Sequence, residues 1–258
     1  MIGQEVFNKM IQGAKCCKYS SMSYIEFDDC VNADILYNRD GFYILHDGSK
    51  SPEMLYFAAD DFNDVIRVIK ELTSHELRLH FVPREYAVQL EELGFYEWGE
   101  YVDYWNDSLV DTLTRFHSIS EPEYLTIGEC EEASLLSRRC RLQSRGFEGE
   151  STEWFIEWVN ENKVIIQRKD LELAGFCCVS IYNEGTVLWI RELAVDPAFQ
   201  RTGVGKRLME QAIKYGVDNG AKKGFLAADI LNENAIGLYR KYDFQRKGTD
   251  SELQMIRG

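Results

Sequence analysis

The feature that most constrains this chain is the run LWIRELAVDPAFQRTGVGKRLMEQAIKYG, Leu188 to Gly216. Its first part, Leu188 to Val195, is apolar except for Arg191 and Glu192, the pattern of a strand buried along most of its length. Asp196-Pro197 ends that strand, because proline brings no N–H to a ladder and restricts the residue before it. After Gln200-Arg201-Thr202-Gly203-Val204-Gly205-Lys206, helix periodicity begins at once. Val204, Leu208, Met209, Ala212 and Ile213 recur on one face and leave Lys206, Arg207, Glu210 and Lys214 on others. The order is strand, short loop, glycine turn, helix.

A helix start carries unpaired N–H groups at the positive end of the macrodipole. Gly203 and Gly205 lack the side chains that would hold a ligand away from those groups. Such a turn suits a phosphate. Alone it is a weak signal. It has neither the dinucleotide-fingerprint spacing nor the Gly-Lys-Ser/Thr of a P-loop, and a glycine connection without any ligand would read the same way.

Its company is more informative. Asn232-Glu233-Asn234-Ala235-Ile236-Gly237-Leu238-Tyr239 follows, then Tyr242-Asp243-Phe244. An LAV strand, QRTGVG opening a helix, and N-x-N-A-x-x-L-Y before a Phe, in that order, resembles the GNAT superfamily of N-acetyltransferases over roughly the last half of the chain. The resemblance implies an α/β (α+β) fold, a mixed and mostly antiparallel sheet flanked by helices, with acetyl-CoA as co-substrate. It implies that the backbone N–H groups of Arg201, Thr202, Gly203, Val204, Gly205 and Lys206 hold the pyrophosphate, with added charge from Arg201 and Lys206. It lays the pantetheine arm beside Leu193, Ala194 and Val195 as an added strand, where the same N–H groups also meet the oxyanion. Asn232 matches an asparagine that contacts the arm, and it equally suits a helix N-cap. Tyr239 matches the tyrosine that protonates the leaving thiolate in many members. A core aromatic is its other use.

Direct acyl transfer to an amine needs the cofactor held, the amine neutral, the oxyanion stabilised and the thiolate able to leave. A phenol of pKa ~10 serves a thiolate whose acid lies near ~8.5 only with local help. The general base is open. Many relatives place a glutamate in the strand after the central helix, but here Ala227 stands about there in Phe225-Leu226-Ala227-Ala228-Asp229. Glu192, on the LAV strand beside the acyl site, is the candidate, and an ion pair with Arg191 or another neighbour is its alternative use. Asp229, Glu148 and Glu150 are reserves. Asp243 departs from the glycine common before the Phe, which loosens the turn match and leaves the chemistry untouched.

Composition narrows the partners. With 258 residues and 45% hydrophobic content, the chain can build one large core or two small ones. No run approaches a membrane span, and MIGQEVFNKM lacks a signal peptide's apolar core. Seven cysteines include the adjacent pairs Cys16-Cys17 and Cys177-Cys178, poor geometry for bridges, and no C-x-x-C spacing suggests zinc. His46, His75, His80 and His117 are scattered, so no metal site is expected. These features point to a reduced, cytoplasmic protein. A net charge of −14 argues against nucleic acid. Up to Ser120 there are 10 Lys+Arg against 21 Asp+Glu, and beyond it 19 against 22. The acidic front half is either a solvated surface or an attractor for a cationic acceptor.

Read in order, the chain repeats itself. A meander of Ile35–Tyr37, Phe42–Leu45 and Met54–Ala58 leads to a helix on Phe62, Val65, Ile66 and Ile69, a strand Leu77–Val82, a helix Glu85–Leu93, and a hairpin of Phe95–Trp98 with Tyr101–Trp105. The back half runs Val164–Gln167, Leu173–Ile181, Val187–Val195, the central helix, Phe225–Ala228, Glu233–Tyr242, and a closing hairpin of Phe244–Arg246 with Leu253–Ile256. Two GNAT-like domains are expected, residues 1–118 and 119–258, with the boundary near Ser118 to Pro122. The first is degenerate, with Asp60-Asp61 at the helix start where the glycine turn belongs. Acidic side chains there repel a pyrophosphate, so no cofactor is expected in the front half. The expected activity is acetyl transfer from acetyl-CoA to a primary amine. A non-catalytic acyl-CoA-binding module and a peptide or protein N-acetyltransferase remain as alternatives.

Overall fold

The computed structural model describes residues 2–23, 25–116, 119–248 and 251–258. Among these, the chain forms two compact units: Met1–Glu100 with Ser251–Gly258, and Tyr101–Asp250. This division differs from the limits expected at 118 and 119. It falls inside a strand, and the last strand groups with the first unit. His117 and Ser118, where the boundary was expected, lie outside the described residues.

The first unit contains α1 (Gln4–Ala14), β1 (Tyr19–Ser20), β2 (Asp34–Arg39), β3 (Phe42–Asp47), β4 (Glu53–Ala59), α2 (Phe62–Glu71), β5 (Leu77–Leu79), α3 (Ala87–Glu91) and the start of β6 (Phe95–Asn106). The second contains the rest of β6, then α4 (Leu109–Thr114), β7 (Glu123–Tyr124), α5 (Cys130–Arg139), α6 (Thr152–Glu161), β8 (Lys163–Lys169), β9 (Glu172–Tyr182), β10 (Val187–Val195), α7 (Val204–Asp218), β11 (Lys223–Asp229), α8 (Glu233–Lys241) and β12 (Gln245–Arg246). β13 (Glu252–Arg257) completes the first unit. The fold is mixed α/β, with a mostly antiparallel sheet flanked by helices. No helix among the described residues is long and apolar enough to cross a membrane.

Both expected hairpins give way to other pairings. Phe95 to Asn106 is one continuous strand, because Gly99 and Glu100 are buried and keep an extended backbone instead of turning. The closing hairpin does not form either. β12 pairs antiparallel with β6 (Gln245↔Trp105), while β13 pairs antiparallel with β5 (Met255↔Leu79). Leu253 and Met255 are fully buried in the first unit's core beside Leu77, Leu79 and Phe62.

Among the described residues, each unit holds a parallel strand pair that opens into a wedge. In the first, β4 and β5 are paired from Glu53↔Leu77 to Leu55↔Leu79, and β4 then runs on to Ala59. β3 covers the other edge of β4 along its whole length. In the second, β10 and β11 are paired from Val187↔Lys223 to Trp189↔Phe225. Beyond that point β10 stays with β9 as far as Val195↔Gly175, and β11 stays with β6 as far as Asp229↔Tyr101. Past Trp189 and Phe225 the two strands no longer pair with each other.

The second unit's core explains why α7 packs where it does. Val204, Leu208, Met209, Ala212 and Ile213 are buried with Leu188, Ile190, Leu226 and Phe244. Gly216 allows the close approach, since a Cβ there would lie 3.0 Å from Leu188. Two faces of one sheet strand are thus used: Ile190 packs under α7, while Ala194 packs under α5 with Phe155 and Phe176.

Candidate functional site

The wedge between β10 and β11 opens into a cleft of about 670 Å³ within the second unit. Of the residues singled out in the sequence, it gathers Glu192, Leu193, Ala194, Val195, Arg201, Gly203, Gly205, Lys206, Asn232 and Tyr239. Thr202 and Val204 are not among the lining residues. The Thr202 hydroxyl donates to Phe199 O at 2.7 Å, and Val204 is a core residue.

One wall is β10, and a bulge there decides which side chains reach the cleft. The β9 register shifts between Ile190 and Glu192. In a regular strand Arg191 and Glu192 would face opposite sides; an extra residue breaks that alternation. Both line the cleft, and Arg191 Nη1 lies 3.9 Å from Glu192 Oε2. At the strand's end the Val195 carbonyl accepts from Gln143 Nε2 at 3.0 Å and from Cys140 Sγ at 3.4 Å.

The helix start closes one end. Gly203 is the N-cap of α7 in the left-handed region (φ 89°), with no side chain to occupy the free N–H groups. Arg201 is also left-handed (φ 60°), which tightens the turn. Gly205 needs no special backbone, and a Cβ there would make only ordinary contact, 3.4 Å from Val195 and 3.5 Å from Leu238. The protein itself therefore does not require a glycine at 205. Lys206 is exposed and 3.6 Å from Glu210.

Glu192 is the most perturbed carboxyl here. Burial, reinforced by Glu150, pushes it up to about 8, against the opposing pull of Arg191 and a hydrogen bond from Ser137. Ser137 Oγ donates to Oε1 at 3.3 Å, while Oε2 has no hydrogen-bond partner among the described residues. The Arg191 ion pair considered from sequence is thus the loose one. Arg191 Nη1 is closer to Glu150, at 3.0 Å.

The reserve carboxylates are otherwise engaged. Asp229 is buried and accepts from Arg145 Nη2 at 2.8 Å, from Arg145 N at 3.0 Å and from Leu231 N at 3.1 Å. Burial works to raise its pKa, but these hydrogen bonds and the Arg145 charge outweigh it and hold the carboxyl low. Glu150 holds Arg191, and Glu148 is exposed and outside the lining. Tyr239 is buried on α8, its ring 6.5 Å from that of Tyr104. Burial, then Cys177 and Glu192, raise its phenol well above the ordinary value. Asn232 caps α8 by accepting from Ala235 N at 3.1 Å and also lines the cleft. Asp243 takes a left-handed backbone (φ 60°), and its carboxylate accepts from Thr112 Oγ1 at 2.8 Å and from Arg115. It stands in for the usual glycine by tying that turn to α4.

Sequence reasoning missed Tyr101, Cys140, Gln143 and Phe147, which also line the cleft. No local signal marks them. Tyr101 arrives from the middle of β6, opposite Asp229, and its hydroxyl donates to Arg145 O. The others sit on or after α5.

The part of the chain that builds this cleft matches a known family. Residues 113–244 match the model of the acetyltransferase (GNAT) family. The chain belongs to that family. It is similar to a streptothricin acetyltransferase of Streptomyces lavendulae, 34% identical over 84 residues, which are 33% of this chain and 44% of that protein. It is also similar to a mycothiol acetyltransferase of Catenulispora acidiphila, 26% identical over 103 residues, 38% of this chain and 33% of that one. The chain thus spans less than half the length of these two relatives. Among solved structures, a functionally unknown conserved protein of Staphylococcus epidermidis superposes with a TM-score of 0.61 at 14% identity, covering 92% of this chain and 99% of its own. A GNAT-family acetyltransferase from Colwellia psychrerythraea gives 0.57 at 9% identity, covering 100% and 97%. These two likenesses speak to the fold. The GNAT acetyltransferase is an acyltransferase enzyme.

Proposed function

We propose that the chain moves an acetyl group directly from acetyl-CoA to a primary amine in the β10–β11 cleft. The observation that carries this reading is the wedge itself: β10 runs from Ile190 to Val195 without β11, and the glycine-capped start of α7 lies at the end of that free edge. A strand edge of this kind suits an extended amide-bearing arm, and the uncapped N–H groups suit its pyrophosphate. Acetyl-CoA supplies the acyl group as an activated thioester. Glu192 accepts the proton of the incoming ammonium, directly or through a water, once its own carboxyl is ionised above about pH 8. On this reading, those N–H groups among Leu193 to Val195 that point away from β9 meet the developing oxyanion.

Tyr239 takes a modified role. Its raised pKa keeps it protonated at every working pH, yet makes it a weaker acid than a thiol of pKa ~8.5. The surroundings therefore do not give the help a full proton transfer needs, and the hydroxyl acts chiefly as a hydrogen-bond donor to the departing sulfur. We read the first unit as a degenerate GNAT-like half without acyl-CoA, since its wedge is filled by its own chain. The cytoplasm and an amine drawn in by negative charge complete the reading. Thiol release from acetyl-CoA, measured across a panel of amines and short peptides, tests it. Turnover on a small amine with an acid limb near pH 8 is expected. Binding without turnover on any acceptor would leave a non-catalytic module, and turnover on peptides alone would move the acceptor to protein N-termini or lysines.

A further inference from the structure

Arg191 is held by two groups that have no other evident task at the cleft. Its guanidinium lies 4.6 Å from the ring centroid of Trp154 and 5.7 Å from that of Trp158. Those two rings stack on each other at 5.1 Å and 18°, and Trp158 abuts Trp189 edge-on at 5.8 Å. Glu150 takes Nη1 at 3.0 Å. Ser137 ties this arrangement to Glu192, since its hydroxyl accepts from Glu150 N at 2.9 Å and donates to Glu192 Oε1 at 3.3 Å. Glu192 Oε2 is left with Arg191 at only 3.9 Å. An arginine on an aromatic face loses little by staying there, and a carboxylate on its other side fixes the fork.

We propose that Trp154 and Glu150 together hold the Arg191 guanidinium back from Glu192, so that the Oε2 lone pairs stay open to the acceptor's ammonium; Arg191 is a positioning residue. If Arg191 closed on Glu192 as a direct pair, its charge would stabilise the carboxylate and weaken it as a base. The inference rests on Glu192 being the base. The other groups facing Glu192 are Cys140 from α5, Cys177 and Cys178 from β9, and Tyr239 from α8, all of which its charge perturbs. None of these is a cation, so Arg191 is the positive charge that the substitutions below would move.

The test reads the Glu192 carboxyl directly. The full chain is made with side-chain carboxyl carbons of glutamate labelled, and the Glu192 signal is identified by its loss in Glu192→Gln. Trp154→Leu changes no charge but removes the aromatic face. It should lower the Glu192 titration midpoint by up to about one pH unit, because a guanidinium now 3.9 Å away closes to direct, hydrogen-bonding contact with the carboxylate. Trp154→Phe should restore it. Glu150→Gln should lower it too, in part through the loss of its own charge, and the part that comes from a released Arg191 should vanish when Arg191→Gln is added. Arg191→Gln alone should raise it. A midpoint unmoved in both Trp154→Leu and Glu150→Gln overturns the proposal, as does a Glu150→Gln shift that survives in full without Arg191. The acid limb of kcat/KM is recorded in parallel. A midpoint that moves while the limb stays put sinks the base assignment and leaves the hold on Arg191 standing.

Discussion

The two wedges differ in what occupies them. In the first unit, the edge of β4 beyond Leu55 is taken by the chain itself. β1 pairs there antiparallel (Tyr19↔Ala59, Ser20↔Ala58), Ser21 N donates to Phe57 O at 2.8 Å, and Phe57 N donates to Ser21 Oγ at 2.9 Å. The Tyr19 ring rests edge-on against Phe62 and Tyr86. At the following helix start, Asp61 caps α2 by accepting from Asn63 N at 2.9 Å, and that hydrogen bond is the main cause of its lowered pKa. A carboxylate of the protein thus sits where an anion would bind. In the second unit Gly203 occupies the capping position and offers no side chain, and the β10 edge has no strand like β1 beside it among the described residues. On the proposed reading, the difference teaches that an acyl-carrier cleft of this fold is an unfinished sheet. Finishing it takes a two-residue strand and one acidic cap.

The largest expected effect on acetyl transfer comes from Glu192→Gln. Removing the base should cost ~10²–10⁴ in kcat/KM and abolish the acid limb near pH 8. The same variant should gain stability. Folded Glu192 is neutral up to about pH 8, whereas an unfolded glutamate ionises near its ordinary value of 4.5. Between those values the folded state binds more protons. The wild type should therefore lose stability as pH rises through that window, and the variant should not. A melting-temperature gap that fails to widen from pH 5 to pH 8 would argue that Glu192 is not buried in its neutral form.

Next is Gly205→Asp, which copies the first unit's acidic helix start into the second. A Cβ at 205 meets neighbours at ordinary contact, so Gly205→Ala should fold and retain most binding. Gly205→Asp places a carboxylate against the pyrophosphate site, and calorimetry should show acetyl-CoA affinity reduced at least ~100-fold, as for other like-charge juxtapositions costing several kcal/mol. Gly203→Asp is a poorer test, because φ of 89° strains any side chain there. Undiminished affinity in Gly205→Asp removes the cofactor assignment.

Tyr239→Phe follows. A hydrogen bond to a charged group contributes ~1.5–3 kcal/mol, so kcat should fall about 10- to 150-fold with acetyl-CoA affinity nearly unchanged. The loss should shrink with a thioester of a more acidic thiol. A rate within twofold of wild type would return Tyr239 to the core.

How much of this was legible in the sequence follows from how local each feature is. The α7 start was legible because its glycines, cations and apolar stripe are adjacent. The meander strands were legible because aromatic runs alternate with Asp-Gly turns. Pairings set by distant partners were not. Gly99-Glu100 looks like a turn until it is buried, and Leu253–Ile256 looks like half a hairpin until Leu79 is found opposite Met255. The stretch from Gln12 to Asn32 is hard to read in the sequence, yet it holds the strand that fills the first wedge. Glu192 was nominated by position alone. What would suit it to act as a base, burial beside Glu150 with Arg191 drawn aside, depends on a contact between Arg191 and Glu150, 41 positions apart in the chain.

The smallest effect on transfer, none at all, is expected from Ser21→Ala, and it tests the filled wedge most directly. Ser21 is 3% exposed, and its hydroxyl is the acceptor for Phe57 N. Removing the oxygen leaves that N–H buried without this partner, at a cost of about 1–3 kcal/mol in stability. The backbone bond from Ser21 N to Phe57 O remains, so the strand should stay in place. Saturation with acetyl-CoA should still give one molecule per chain, in the wild type and in Ser21→Ala alike. Adding Asp61→Gly, which empties the helix start, should not change that number while Tyr19 and Ser20 still cover the β4 edge. If the double variant bound a second acetyl-CoA, the self-pairing would be only a loose cover over a working site. If the wild type already bound two, the contrast between the wedges would be wrong at its root. One per chain in all three, with a melting temperature lowered in Ser21→Ala, is what a permanently completed sheet requires.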